Sequence, residues 1–379
     1  MRKNLFIYLL VAIMLAFPVS GLCGLEDEEE LDITEVVDEP EEENNTGVFE
    51  SDGSTVLTVT CTGDFTIGGD NYHHKEKDFY GELKDHGDDI NFTMANVRDI
   101  LARDDMTLVN FEGTLTETTY VPANKRENQF LFNIPPRYVS VLADNSIEAV
   151  SLENNHVMDH GDEGYEETKQ TLDAAGIVYS NSETVGIFNV KGYQIAMLSY
   201  LCIDRYNKAV GGFDTLYDKV AHDIAETKEK YPIVIVSFHW GNEKDYTPTA
   251  NQIRMGRLAV DSGADLVVGH HSHRINPIEC YKGVYICYSL GNFCFSGHKR
   301  PDDMNSYLFQ TRFRISAEGE VSNTGFRIIP IRITSLKDRN NYTPTPVTDE
   351  MKMEAIVNTL KANGKKLEYA VQDYPLDWQ

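Results

Sequence analysis

The sequence predicts an α/β protein whose sheets are mixed. Runs of β-branched residues of strand length alternate with segments of helical periodicity through most of the chain, and the closing part is a succession of strands. Apolar residues make up 41% of 379, enough for a sizeable core.

Taken in order, residues 1–23 open with two basic residues and continue as a long apolar run broken by Pro18 and small residues. This pattern predicts a secretory signal peptide or a retained membrane anchor. Acylation of Cys23 fits less well, because Leu22 stands where a small residue is expected. Residues 24–54 form an acidic linker: from Leu25 to Glu50 there is no Lys or Arg, as expected of a solvated, disordered tether. The expectation is a domain held outside the cytoplasm, secreted or anchored to the outer face of the membrane. Residues 55–335 are predicted to be the folded domain, and 336–379 a C-terminal helical extension. The net charge of −26 excludes nonspecific nucleic-acid binding, which depends on Lys and Arg. An anionic ligand would need local cations.

Within the domain, "STVLTVTCTGD" reads as a strand ending at Asp64, and "FTMANVRDILARDD" as a helix. "MTLVNFE" is a strand ending at Glu112. "PPRYVSVLADN" has proline in a first helical turn, and "IEAVSLENNH" is a strand ending in polar residues. A helix over 162–175 precedes strands at "TVGIFNV" and "YQIAMLSYL", and a helix over 215–230 follows. "YPIVIVSFHWG" is a strand ending at His239. "PTANQIRMGRLAVDSG" is a helix closed by Gly263, and "ADLVVGHHSH" a strand ending in histidines. The hairpin "NPIECYKGVYICYSLGNF", the strands "SYLFQTRFRIS" and "GFRIIPIRITS", and a helix near 348–361 complete the chain. Of six cysteines, one lies in the leader and three sit in strand-like runs as core thiols. A Lys282–Gly283 turn would set Cys280 opposite Tyr285 rather than Cys287, so few or no disulfides are expected.

Five strands end in residues able to hold a metal or move a proton: Asp64, Glu112, the pair Asn155 and His156, His239, and the run His270, His271, His273. Ligands of open α/β sheets bind at carboxyl strand ends, so the five predict one shared site. Each alone has an ordinary alternative: a cap for Asp64, local backbone bonds for Glu112 and Asn155, a packed core imidazole for His239. The His271/His273 pair is the strongest element, since an H-x-H on extended chain directs both rings to one side. Carboxylate oxygens, an amide carbonyl and imidazoles suit Mn, Fe or Zn. The implied chemistry is metal-assisted: the metals act as Lewis acids and activate water, and a histidine near the leaving group serves as general acid.

The order "TCTGDFTIGG", "LVNFEGTLT", "SLENNHVMDHG", "VSFHWGNE", "VVGHHSHRINPIE", "YSLGNFCFSG" resembles the bacterial capsule-synthesis protein CapA family, associated with poly-γ-glutamate capsules. The resemblance runs from about Val56 to Arg300, and less distinctly to Thr334. That family in turn looks like a divergent branch of the calcineurin-like metallophosphoesterases, which implies two mixed sheets packed face to face with helices outside. Carried over by position, the resemblance implies Asp64, Glu112, Asn155, His239, His271 and His273 as metal ligands, and His156 and His239 as catalytic residues. Thr66 stands where the superfamily's D-x-H motif has its histidine. Asn110 and Glu112 occupy the place of its G-D motif, and a one-residue shift leaves His270 without an assigned role. These departures raise a mononuclear or altered site as an alternative.

Around the pocket, Asn110, Arg274, Asn292, His298, Lys299 and Arg300 are assigned to substrate binding, and Lys125 and Arg126 lie in a loop after Glu112. Such cations would attract a carboxylate-rich or phosphorylated polymer. The function read from the whole is a metal-dependent hydrolase of capsule polymer metabolism, cleaving a phosphoester or a polymer amide. The alternative is a non-catalytic accessory protein that holds the polymer beside membrane synthase or transporter subunits.

Overall fold

The computed structural model describes residues 50–69, 78–123, 129–203 and 212–378, all within the compact unit Asn45–Gln379. The leader, the tether up to residue 49, and the loop residues Lys125 and Arg126 lie outside the described residues. Among the described residues no helix is long and apolar enough to cross a membrane.

Strand β1 (Thr55–Thr66) and helix α1 (Phe79–Asp85) lead to β2 (Met106–Phe111). The short β3 (Thr114–Leu115) and β4 (Asn133–Ile134) precede β5 (Ala149–Ser151), α2 (Gly161–Ala174) and β6 (Val178–Ser180). Then come β7 (Gly186–Val190), β8 (Tyr193–Cys202), α3 (Phe213–Lys228), β9 (Ile233–Trp240), α4 (Ala250–Asp261) and β10 (Leu266–His270). The chain closes with β11 (Ile278–Tyr281), β12 (Val284–Cys287), β13 (Asn292–Phe295), β14 (Asn305–Ile315), β15 (Val321–Arg332), β16 (Thr345–Pro346) and α5 (Glu350–Gly364).

Two mixed sheets result. The first has the order β16-β15-β14-β1-β2-β5-β6, with β13 also paired to β1; the second has the order β11-β12-β10-β9-β8-β7. Around β1, strands β2 and β13 run parallel and β14 antiparallel. In the second sheet β8, β9, β10 and β12 run parallel to one another, with β7 antiparallel to β8 and β11 antiparallel to β12.

Period-2 alternation sorts side chains into layers. Ile233 and Ile235 of β9 join Leu57, Val59, Met106 and Leu266 in a core between the sheets. Val234, Val236, Phe238 and Trp240 point the other way, onto Leu216, Val220 and Ile224 of α3 and Met255 of α4. The outer face of the first sheet is covered by Phe79, Leu83, Val141 and Leu172 from its own helices and turns. This is the helix–sheet–sheet–helix sandwich implied by the family resemblance. Ile356 and Leu360 of α5 and Tyr374 of the tail also enter the inter-sheet core.

Some elements are shorter than their periodicity predicts. The segment expected as a helix near 92–105 forms a 3₁₀ turn (Ile90–Met94), capped by Asp89, and a single α turn (Arg98–Leu101). The strand of "IEAVSLENNH" stops at Ser151, and its polar residues form a loop. The two-residue turn at Lys282 and Gly283 has φ of 52° and 83°, as a type I′ hairpin requires. It places Cys280 opposite Tyr285, and the cysteines at 61, 202, 280, 287 and 294 are all free.

The edge of the second sheet is tied to α4 by an ion pair between the half-buried Arg257 and the fully buried Glu279. Arg257 donates through Nη2 to Glu279 Oε1 at 2.7 Å and through Nε to Oε2 at 3.3 Å, and Tyr288 Oη donates to Oε2 at 2.7 Å. Arg257→Met would leave the fully buried Glu279 without its cation. Unfolding in urea should show a loss of about 3–5 kcal/mol, the cost typical of breaking one side of a buried pair.

At the opposite strand ends, burial pushes Asp104 up to about 7, against hydrogen bonds from Thr60 and Thr107, with Glu148 adding to the rise. The folded state therefore keeps a proton that the unfolded chain loses above pH 4. Stability from this group is complete below that pH and declines as pH rises toward 7. Asp104→Asn should stabilise the protein at pH 8 by about 1–2 kcal/mol, allowing for its partial exposure, and leave thermal melting at pH 4 nearly unchanged.

Candidate metal centre

The centre is built where parallel strands of both sheets end. Upstream in β1, Leu57, Val59 and Cys61 face the inter-sheet core, whereas Phe65 faces the outer layer. The register shift between Cys61 and Asp64 is a bulge that reverses this phase and turns Asp64 into the seam between the sheets. Close approach fixes it there. A Cβ on Gly63 would lie 2.2 Å from the Gly291 carbonyl oxygen, and Asp64 N donates to that same oxygen at 2.9 Å. Asn110 pairs opposite Asp64, and Glu112 follows two residues on. From the second sheet, His239 and His270 sit side by side in register.

The histidine run departs from extended chain. β10 ends at His270, and His271 and His273 have φ of 89° and 54°. A regular strand would send His271 to the helix-covered face; the left-handed turn returns it to the seam, 4.6 Å between ring centroids from His239. Backbone reversal, rather than strand alternation, therefore brings His271 and His273 to the centre.

Two sets of buried or half-buried donors arise, Glu112–His239–His271 and Asp64–Glu112–His273, with the donor atoms of each within 4.8 Å of one another. Glu112 belongs to both. Its Oε1 lies 3.8 Å from His239 Nε2, 3.9 Å from His156 Nε2 and 4.0 Å from His273 Nε2. Glu112 Oε2 and Asp64 Oδ2 are buried without hydrogen-bond partners. Orphaned carboxylate oxygens are costly, and a divalent cation is the partner this donor set suits.

A buried amide network braces the donors. Asn110 Nδ2 donates to Asp64 Oδ1 at 2.9 Å and contacts His239 Nδ1 at 3.2 Å, and its Oδ1 accepts from Asn154 Nδ2 at 3.1 Å. Asn154 also donates to the Phe111 carbonyl and accepts from His156 N. Asn155 Oδ1 is 2.6 Å from His239 Nε2. His273 Nδ1 is 2.9 Å from both Asp64 Oδ2 and Asn292 Oδ1, with hydrogen-bond direction met toward Asn292.

Charge states follow from this crowding. Burial opposes the Asp64 carboxylate, but the imidazoles of His270 and His273 outweigh it and hold Asp64 well below the ordinary range. Burial pushes Glu112 up to about 7, with His273 opposing and Asp64 adding to the rise. His239 is pushed well below its usual value by burial and by His271. His156 lies above its usual value despite burial, because Asp159 Oδ2 sits 2.7 Å from its Nδ1 and Glu112 is near.

A cleft of about 300 Å³ opens over the centre, lined by Glu112, His156, His273, Arg274, Asn292 and the rings of Phe130, Phe132 and Phe295, with Glu243, Lys244, His298, Arg300, Pro301 and Asp302 among its rim residues. Phe132 packs on His156 at 4.8 Å and Phe295 on His273 at 4.9 Å between centroids. Lys244 and Arg274 lie 3.7 and 3.8 Å from Asp302.

The structure redistributes several predicted roles. Asp64, Glu112, Asn155, His239, His271 and His273 do come together. Thr66 is buried, and its Oγ1 has no partner; it joins neither donor set. Of the two residues predicted to be catalytic, His156 lines the cleft, whereas His239 lies beneath it with no exposed side chain. Among those assigned to substrate binding, Arg274, Asn292, His298 and Arg300 line the cleft; Lys299 does not, and the buried Asn110 serves as a brace. Sequence reasoning missed Asn154, Asp159, Lys244 and the aromatic walls. Only Asp159, three residues after His156 in "NNHVMDHG", left a signal.

Two mixed sheets joined by carboxylate and histidine donors at their strand ends define an α/β sandwich with a candidate metal centre in its seam. Within it, the profile of the bacterial capsule synthesis protein PGA_cap matches residues 58–297, which hold every donor, and the chain belongs to that family. It is 33% identical over 280 residues to "PGA biosynthesis protein CapA" of Bacillus subtilis, covering 70% of each chain. It is 26% identical over 332 residues to "Capsule biosynthesis protein CapA" of Bacillus anthracis, covering 82% of this chain and 74% of that one. A "Probable polyglutamine synthesis accessory protein" of Mycobacterium tuberculosis is 23% identical over 258 residues, covering 62% and 67%. Among solved structures, Haemophilus influenzae NAD nucleotidase (NadN) aligns with a TM-score of 0.40 and 14% identity, over 86% of this chain and 64% of that one; the chain thus spans less than two thirds of that length.

Gly269, just before the histidine run, tests how rigidly the centre is held. A Cβ there would lie 2.2 Å from the Tyr288 carbonyl oxygen and 2.4 Å from Trp240 Nε1. Gly269→Ala should lower stability in thermal melts by about 1–3 kcal/mol, the usual cost of overpacking.

Proposed function

We propose that this protein is an extracytoplasmic, metal-dependent hydrolase of capsule polymer metabolism, acting on an anionic, poly-γ-glutamate-like substrate at a phosphoester or amide bond. The observation that carries the reading is Glu112, shared by two donor sets directly beneath a cleft that His156 faces. The donor chemistry favours Mn, Fe or Zn. Placement outside the cytoplasm rests on the N-terminal sequence, and the polymer class on the names of the relatives. The synthase or transporter partners belong to the same reading.

Bound divalent ions would supply Lewis acidity and an activated water. The chain's own residues do the rest. Asp64, Glu112, Asn155, His239, His271 and His273 would hold the ions, and Asn110 and Asn154 keep these donors in place. His156, oriented by Asp159, is positioned to give a proton from Nε2 to a leaving group in the cleft. Arg274, Lys244 and Arg300 orient anionic groups at the rim, and Phe132 and Phe295 limit water access on either side.

A non-catalytic polymer-holding role is the second reading, favoured by Thr66 in a ligand position and by the rim cations. Purified protein loaded with Mn²⁺ should retain metal by elemental analysis and hydrolyse either bis-p-nitrophenyl phosphate or poly-γ-glutamate. His156→Ala should lower kcat about 10²–10⁴-fold, the range for loss of a general acid, with metal content unchanged. A protein that retains no metal would sink the hydrolase reading; metal and polymer binding with no turnover of either substrate would establish the second.

A further inference from the structure

Resting on that metal-centre reading, we infer that His270 is an additional metal ligand, taking over beside Asp64 the place that Thr66 leaves without an imidazole. His270 is 1% exposed, and neither of its ring nitrogens has a hydrogen-bond partner in the protein. A buried imidazole with no well-directed partner leaves both ring nitrogens unsatisfied, a costly state that a cation held beside Asp64 would relieve. Its Nδ1 lies 3.5 Å from Asp64 Oδ1, while His273 Nδ1 lies 2.9 Å from Asp64 Oδ2. Asp64 is thus flanked by two imidazole nitrogens at separations ordinary between neighbouring ligands of one ion, whose bonds run about 2.0–2.2 Å.

The position is fixed by the sheet. His270 is the last residue of β10, paired in register with His239 of β9, so its ring is directed into the seam by the ladder itself rather than by the left-handed turn that follows. Without it, the Asp64 donor set has Glu112 and His273 alone as companions, and Glu112 is shared with the other set. Thr66 cannot supply the missing ligand: a neutral hydroxyl is a poor donor to borderline cations, and its register partner is Phe295 rather than any donor.

The experiment loads the full chain with Mn²⁺, removes excess by gel filtration, and counts bound metal by elemental analysis, beside titration calorimetry. The wild type should hold two equivalents. His270→Ala and His270→Gln should each hold one, with thermal melts of the metal-free proteins showing that both fold. X-ray absorption of the Mn²⁺-loaded wild type should count two more bound imidazoles per protein than either variant, since the vacated site loses His273 together with residue 270. Two equivalents retained by both variants, with an unchanged imidazole count, would overturn the assignment while leaving the metal centre standing. A wild type that binds no Mn²⁺ would overturn the centre and the assignment together.

Discussion

Two carboxylates buried where the sheets meet are the constraint around which this molecule is arranged. Asp64 and Glu112 are both about fully buried, and removing two like charges from water is among the costliest things a fold can do. The surroundings answer that cost in two ways. Four histidines from the second sheet face the two carboxylates from the first, so the attraction operates across the sandwich. The amides of Asn110, Asn155 and Asn292 bond Asp64, His239 and His273, with Asn154 holding Asn110 in place, so none of these three donors can turn away without breaking a buried bond. The centre therefore couples the sheets electrostatically while the inter-sheet core couples them by burial.

The arrangement depends on rigid parallel strands. β9 is buried along its whole length, as expected of a parallel strand covered on both faces, and it carries His239 at a defined height. Two backbone irregularities then do what regular strands cannot. The bulge before Asp64 reverses the strand's phase, and the left-handed residues His271 and His273 fold the chain back. Both sit at strand ends beside the centre, where such distortions are concentrated when a site requires them.

Much of this was legible in the sequence, and the rest was not for physical reasons. Strands such as Ile233–Trp240 announce themselves because alternation and β-branching reflect burial on a pleated surface. The five strand ends could be gathered into one site because parallel strands deliver their carboxyl ends to one side. The helix expected after Phe92 is split into a 3₁₀ turn and one α turn, a break that hydrophobic periodicity does not mark. The shape of "HHSH" was misread because φ of a non-glycine residue leaves no mark in composition. Asn154 and Asp159 were missed because bracing residues are defined by what they touch, and contact lies across strands far apart in sequence.

The end of β2 shows how an amide and a carboxylate on one strand serve the centre in different ways. Asn110 stands directly opposite Asp64, where a second carboxylate would add repulsion at close range. An amide there instead donates to Asp64 and contacts His239. The strand's negative charge stands two residues along the same face at Glu112, whose long side chain lets Oε1 come within 4.0 Å of His156, His239 and His273 alike. The strand thus sets a neutral amide against one carboxylate and places the other two residues further on, so that both acids reach the same group of histidines without standing side by side.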